Sequence, residues 1–131
     1  MNNMDKLAEL QSRRASIEAS CESANGKNSA RDRIKLLFDE GSFVEINAFV
    51  TGDAAAEGVV SGYGTVNDRL VYAYSQDYSA IGGALGGANA KKITYTLDLA
   101  AKMGAPVVSI LDSKGARINE GIDALAAIGE I

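Results

Sequence analysis

The run Val107-Val108-Ser109-Ile110-Leu111-Asp112-Ser113-Lys114-Gly115-Ala116-Arg117-Ile118-Asn119-Glu120-Gly121 constrains the chain more than any other stretch. An apolar, β-type run breaks at Asp112-Ser113, passes through small residues and re-enters a helical pattern at Asn119. That order puts a sharp turn at the carboxyl end of a buried strand and beside a helix start, where backbone N–H groups are free to face a ligand. The sequence has no histidine, so a histidine-based triad is excluded. Exposed amides are the expected chemical instrument.

A second turn of the same kind lies upstream, at Asp77-Tyr78-Ser79-Ala80-Ile81-Gly82-Gly83-Ala84-Leu85-Gly86-Gly87. The helix after it would direct its positive end toward the crevice above the strands, and glycines let a ligand approach the backbone closely. The same glycines also suit tight turns and close packing of helix on sheet. Two such turns at the carboxyl ends of two strands favour the ligand reading. A dinucleotide fold is the obvious competitor, but Gly82-Gly83-Ala84-Leu85-Gly86-Gly87 places Ala84 where G-x-G-x-x-G needs its second glycine. No Walker A motif is present, and a zinc site lacks both histidine and sufficient cysteine. No metal site is expected.

Taken in order, Leu7, Leu10, Arg14 and Ile17 recur at helical spacing from Met4 to about Ser20 and predict a helix with a thin apolar stripe. Residues 22–28 are polar and rich in breakers, hence a linker, so residues 1–28 are read as an N-terminal helix and linker and 29–131 as the main unit. Ser29-Ala30-Arg31-Asp32 has the form of a capping box, opening a short helix whose expected buried side is Ile34, Leu36, Leu37 and Phe38. Phe43 to Val50 reads as a strand after a turn, and 51–58 as loop. Val59–Val66 and Leu70–Ser75 are β-rich runs joined through Asn67-Asp68-Arg69, spacing that suits a tight hairpin with positive φ at Asn67 and Asp68. A helix is expected from Leu85 to Met103, with Leu85, Ile93, Leu97, Ala100 and Ala101 on its buried face and Lys91, Lys92, Asp98 and Lys102 off it; Gly104 is its C-cap and Pro106 a stop. The last helix is expected from near Asn119, with Leu125, Ile128 and Ile131 as a stripe that has no stop after it, as in a truncated polypeptide or one part of a larger assembly.

The fold class that follows is α/β, and 131 residues are enough for one domain with a sizeable core. A formal charge of −4 gives no general electrostatic footprint for nucleic acid, so an anionic ligand must be held by a local basic patch or by backbone dipoles. Cys21 is the single cysteine and is read as an incidental thiol. No signal-peptide pattern or spanning apolar run is present, so a cytoplasmic location without a membrane span is expected. Among charged residues, Asp77, Asp112 and Glu120 are the nearest candidates for catalytic carboxylates, each with a structural alternative. Arg117 suits either a carboxylate or a phosphate partner. Lys27, Arg31 and Arg33 form a basic cluster that could reach an anionic ligand or form a solvated face.

From about Lys27 to Ile131 the chain resembles the amino-terminal half of the carboxyltransferase β chain of biotin-dependent acyl-CoA carboxylases and the related decarboxylases and transcarboxylases. The resemblance rests on Ala30-Arg31-Asp32-Arg33-Ile34, Phe38-Asp39-Glu40-Gly41-Ser42-Phe43-Val44-Glu45, Gly58-Val59-Val60-Ser61-Gly62-Tyr63-Gly64, Tyr74-Ser75-Gln76-Asp77-Tyr78 with Gly82-Gly83, Gly104-Ala105-Pro106-Val107, and Asp112 through Gly121. These motifs fall in the family's order and spacing. The resemblance implies a partial crotonase-like spiral of ββα units with N-terminal helices, and an acyl-CoA bound over exposed amides. It further implies carboxyl transfer to or from biotin on a biotin carboxyl carrier protein, a carboxyl-terminal carboxyltransferase domain or subunit as partner, and a homo- or hetero-oligomer.

Carried over residue by residue, the family's oxyanion turn falls on Lys114, Gly115 and Ala116. Gly82, Gly83 and Ala84 would line the acyl-CoA channel, and Lys27 and Arg31 would meet the nucleotide end. The family has a glycine where Lys114 stands. A positive φ there would cost a lysine about 1 kcal/mol or more, whereas a negative φ would leave its amide usable; the side chain could add a cation near the thioester or the 3′-phosphate. The family chain is also several times longer, so this polypeptide is not expected to transfer a carboxyl group alone. A non-catalytic assembly or regulatory piece of such a complex is the alternative.

Overall fold

Alternation along two central strands decides the layering. In the computed structural model, which describes residues 3–20, 29–50 and 58–131, a four-stranded sheet is built from β1 (Val44–Ile46), β2 (Val59–Val66), β3 (Arg69–Gln76) and β4 (Val107–Ile110). Its order is β1-β2-β3-β4, with the first three antiparallel and β4 parallel to β3. Val60, Val71 and Ala73 point to one face and pack with Ile17, Ala30, Ile34 and Phe38 from helices α1 (Asn3–Ser20) and α2 (Ala30–Leu37). Val59 and Tyr74 point to the other face and meet Ile93 of α3 (Gly87–Met103), the helix that carries the chain from β3 to β4. Period-two alternation thus feeds two apolar faces, and each is covered by helix. Among the described residues no helix is long and apolar enough to cross a membrane.

Local chemistry sets the ends of these elements. The Ser29 hydroxyl accepts from the Asp32 amide while Asp32 accepts from the Ser29 amide, completing the expected capping box. The Ser29 hydroxyl also donates to Asp32 Oδ2 at 2.8 Å, and that bond, followed by the one from the Ser29 amide, holds the Asp32 carboxyl below its usual range. Asn67 and Asp68 take positive φ, 50° and 62°, and β2 pairs with β3 in register down to Val66 opposite Arg69. The two turn amides donate to the Asp39 carboxylate at 3.1 and 3.0 Å, which lowers its pKa, the Asp68 amide being the largest cause. Gly104 ends α3 with φ 64°, as a left-handed C-cap requires.

Several expectations are corrected. The strand expected over Phe43–Val50 is only Val44–Ile46, because Asn47 takes φ 55° and turns the backbone out of the ladder. Leu36 is 75% exposed, since Ile34, Leu37 and Phe38 already define one side of a short helix and Leu36 falls opposite them. Helix α3 starts at Gly87 and not Leu85, and its buried face carries Asn89, Lys92, Ile93, Thr96 and Ala100. Ala101 is exposed, and Lys92 is 1% exposed with its ammonium donating to the Val59 carbonyl. The final helix is interrupted: a 3-10 turn at Ile118–Glu120 ends at Gly121, φ 57°, before α4 (Ile122–Gly129). Ala124 and Ala127 are its buried residues, while Leu125 and Ile131 are exposed. Cys21, the linker at 22–28 with Lys27, and loop positions 51–57 lie outside the described residues.

Candidate functional site

The two glycine turns meet. Leu85 and Ala116 form a one-residue parallel bridge in which the Leu85 amide donates to the Gly115 carbonyl and the Arg117 amide to the Leu85 carbonyl, both at 2.8 Å. This bridge draws Leu85 out of the helix that its sequence context predicts. Gly83, with φ 65°, lies so close to the following turn that a Cβ would run into the Asp112 carbonyl oxygen. Gly82, also at φ 65°, lies under the Lys114 side chain, and a Cβ there would come within 2.7 Å of Lys114 Cδ. Backbone contact requires the glycine at 83, whereas at 82 the neighbour is a flexible side chain and the positive φ is what favours glycine. The Gly83 amide donates to Ala80 and the Ala84 amide to Ile81, so Gly83 and Ala84 form a buried platform with their donors spent internally.

Beyond β4 the accounting is different. Gly115 is exposed, with φ 109° and open space where a side chain would be. Lys114 is not among the residues with positive φ, so no backbone strain attends the lysine. Its amide nevertheless donates to the Gly82 carbonyl at 3.0 Å, and its ammonium lies 5.0 Å from the centroid of the Tyr78 ring. The Gly115 amide donates to the Ser113 hydroxyl at 3.0 Å. The Ala116 amide has no acceptor among the described residues. The parallel bridge explains this, because it uses the carbonyl of Gly115 and the amide of Arg117 and skips the residue between them.

The amino terminus of α3 is taken up in part by protein acceptors. The Gly86 amide donates to Asn89 Oδ1 and the Gly87 amide to Glu120 Oε2, both at 2.7 Å. Glu120 thus meets a helix dipole favourably, that of α3. Arg117, 3% exposed, donates from Nε to the Ala84 carbonyl at 3.0 Å and from Nη1 to Glu120 at 3.3 Å, so a carboxylate is a partner of its guanidinium. Asp77 is buried and shapes the chain after β3 by accepting from the Ser79 amide and hydroxyl.

Of the basic cluster, Arg31 forms a bidentate pair with Glu45 at 2.7 and 3.0 Å. The pair lines a cleft of about 360 Å³ beside β1 that contains no residue of either turn. Arg33 is the member that reaches the turn: its Nη2 lies 3.1 Å from Asp112 Oδ2 and 3.1 Å from the Gln76 carbonyl. Gln76, 2% exposed, accepts from the Asp112 amide through Oε1 at 3.0 Å. Sequence reasoning passed over Gln76, although a glutamine ending an apolar strand is a signal, since a buried amide needs partners.

A sheet flanked by helices, with a backbone-donor turn at the carboxyl end of its parallel strand, is the α/β class that the resemblance to crotonase-like carboxyltransferases implies. The carboxyl transferase domain family matches residues 21–131, and the chain belongs to that family. The methylmalonyl-CoA decarboxylase subunit alpha of Propionigenium modestum is 52% identical over 118 residues, covering 82% of this chain and 23% of that protein. The propionyl-CoA carboxylase beta chain of Roseobacter denitrificans is 42% identical, covering 97% of this chain and 28% of that protein. The crystal structure of the transcarboxylase 12S hexamer with methylmalonyl-coenzyme A and methylmalonic acid bound superposes with a TM-score of 0.91 at 34% identity, over 99% of this chain and 29% of that one. The chain therefore spans about a quarter of the length of the curated relatives it matches.

Proposed function

We propose that the chain supplies the acyl-CoA-binding portion of a biotin-dependent acyl-CoA carboxyltransferase or decarboxylase, with the Asp112–Ala116 turn stabilising the thioester enolate. The observation that carries this reading is the unspent Ala116 amide on a turn clamped by Gly82, Gly83 and Leu85. Relatives named for CoA-thioester carboxylation and decarboxylation support it.

Carboxyl transfer makes or breaks a bond at the α-carbon of the thioester. Loss of the α-proton, or of carbon dioxide, leaves its electron pair delocalised onto the thioester oxygen as an enolate. An N–H fixed beside that oxygen gains strength as the charge develops and needs no reorganisation. One such donor is worth about 2.7–4 kcal/mol in well-studied oxyanion sites. Ala116 fits this role without a histidine. The Gly115 amide becomes a second donor if the Ser113 hydroxyl rotates away, a low-cost motion for an exposed hydroxyl. Lys114 contributes its stem and ammonium to the rim.

Biotin supplies the donor or acceptor of the carboxyl group. None of the residues around the turn is assigned to it; in this reading a biotin carboxyl carrier protein brings it and a carboxyl-terminal carboxyltransferase domain or subunit receives it, in an oligomeric assembly. Titration calorimetry of the assembled enzyme with acetyl-, propionyl-, malonyl- and methylmalonyl-CoA tests the site. Saturable binding of at least one thioester is expected, and failure of all four overturns the proposal. A second reading, an assembly piece without chemistry, draws on the engaged amides of Lys114 and Gly115; it predicts an assembly that forms but does not turn over.

A further inference from the structure

We infer that Arg33 is a positioning residue for the enolate site, acting through Asp112 and Gln76. Two hydrogen bonds and one ion pair close a small ring behind the turn. The Arg33 guanidinium touches both the Asp112 carboxylate and the Gln76 carbonyl at 3.1 Å, and the Gln76 side chain accepts from the Asp112 amide at 3.0 Å. Asp112 is thereby held at its backbone and at its side chain. On the other side, the Asp112 carbonyl sits against Gly83, and two residues on the Lys114 amide is tied to Gly82. The Ala116 amide follows after a short span that contains Gly115 at φ 109°. The Ala116 N–H shares a peptide plane with the Gly115 carbonyl that the Leu85 amide holds, so the bridge fixes one end of the span and Asp112 fixes the other, and together they place the donor.

The ring also explains why a helix so far along the chain from the turn carries a buried-facing arginine. Its companion Arg31 is spent on Glu45, on the side of the β1 cleft. Arg33 instead crosses to the carboxyl ends of β3 and β4. A single guanidinium nitrogen, Nη2, contacts both the carboxylate and the carbonyl, and the planar group holds its donors in a fixed orientation that a rotating ammonium does not. Helix α2 and the turn then move as one body, and the donor is preorganised by a residue that never touches substrate.

This inference rests on the proposed enolate site, and it makes a specific demand. Displacing a donor that acts mainly on developing charge weakens transition-state binding more than ground-state binding. In the assembled enzyme, affinity would be measured for propionyl-CoA and for a propionyl-CoA analogue carrying a nitronate in place of the enolate, alongside kcat and KM. The wild type is expected to prefer the nitronate by about 100-fold or more. Arg33→Ala should cut that preference and kcat by about 10- to 100-fold, with propionyl-CoA affinity and KM within about twofold. Gln76→Met, which keeps volume but removes the acceptor for the Asp112 amide, should show the same split, and Arg33→Lys should recover part of it. A merely destabilising change would lower the active fraction without altering the ratio of the two affinities. An unchanged ratio in the folded Arg33→Ala or Gln76→Met enzyme overturns the inference while leaving the site intact. Failure of the wild type to bind either ligand overturns the proposed function itself, and the inference with it.

Discussion

The turn after β3 and the turn after β4 look alike as sequence, yet they do opposite things with their backbone. In the first, Gly83 and Ala84 are buried and their amides are satisfied by Ala80 and Ile81. In the second, Gly115 is exposed and Ala116 keeps a free amide. In the first, Gly83 lets the Asp112 carbonyl close in; in the second, Gly115 faces open space. Glycine content alone does not distinguish them, because φ is positive in both. The occupied space beside each glycine does.

Substitution to alanine should separate the two turns. Gly83→Ala meets both positive φ and the Asp112 carbonyl, so a loss on the order of 3–5 kcal/mol in unfolding free energy is expected by denaturant titration. Next in size is Ala116→Pro, which deletes the free N–H. It should lower kcat by about 10²–10³-fold, equivalent to about 2.7–4 kcal/mol, with acyl-CoA still bound by calorimetry. Gly115→Ala meets no neighbour, and its cost should be confined to backbone strain of about 1–3 kcal/mol. A Gly115→Ala penalty as large as that of Gly83→Ala would erase the distinction drawn here.

Smaller effects probe what fastens the turns and what lies far from them. Lys114→Gly removes the contact with Tyr78 and the stem over Gly82, and should lower stability by about 0.5–1 kcal/mol in thermal melts. At the opposite end of the sheet, the Asp68 amide foremost, with the Thr65 and Asn67 contacts, holds the Asp39 carboxyl below the ordinary carboxylate range. A depressed acid contributes stability that is present above its unfolded pKa and is lost as pH falls through the folded one. Melting temperature should therefore fall on acidification below about pH 4, and Asp39→Asn should flatten that fall without altering acyl-CoA affinity.

Much of this was legible in the residues because the cause was local. The capping box of Ser29 and Asp32, the positive φ of Asn67 and Asp68, and the Gly104 cap each depend on a few neighbouring residues. What could not be read depends on partners distant in sequence. Leu85 leaves its helix because Ala116 pairs with it, and Lys92 can be buried because the Val59 carbonyl accepts a hydrogen bond from its ammonium. Glu120 sits in a first-turn pattern of its own yet caps α3. The site followed the same rule: the position of the turn was visible as strand, break and small residues, whereas that the Ala116 amide is left unspent required knowing which of its neighbours Leu85 would take.

The most direct test is a crystal structure of the assembled enzyme with an acyl-CoA nitronate analogue bound. A nitronate oxygen is expected at about 2.7–3.1 Å from the Ala116 amide nitrogen, with the Gly83 and Ala84 amides still bonded to Ala80 and Ile81. An analogue seated instead on the Gly82–Ala84 turn or on the amino terminus of α3, with the Ala116 amide left unengaged, would contradict it.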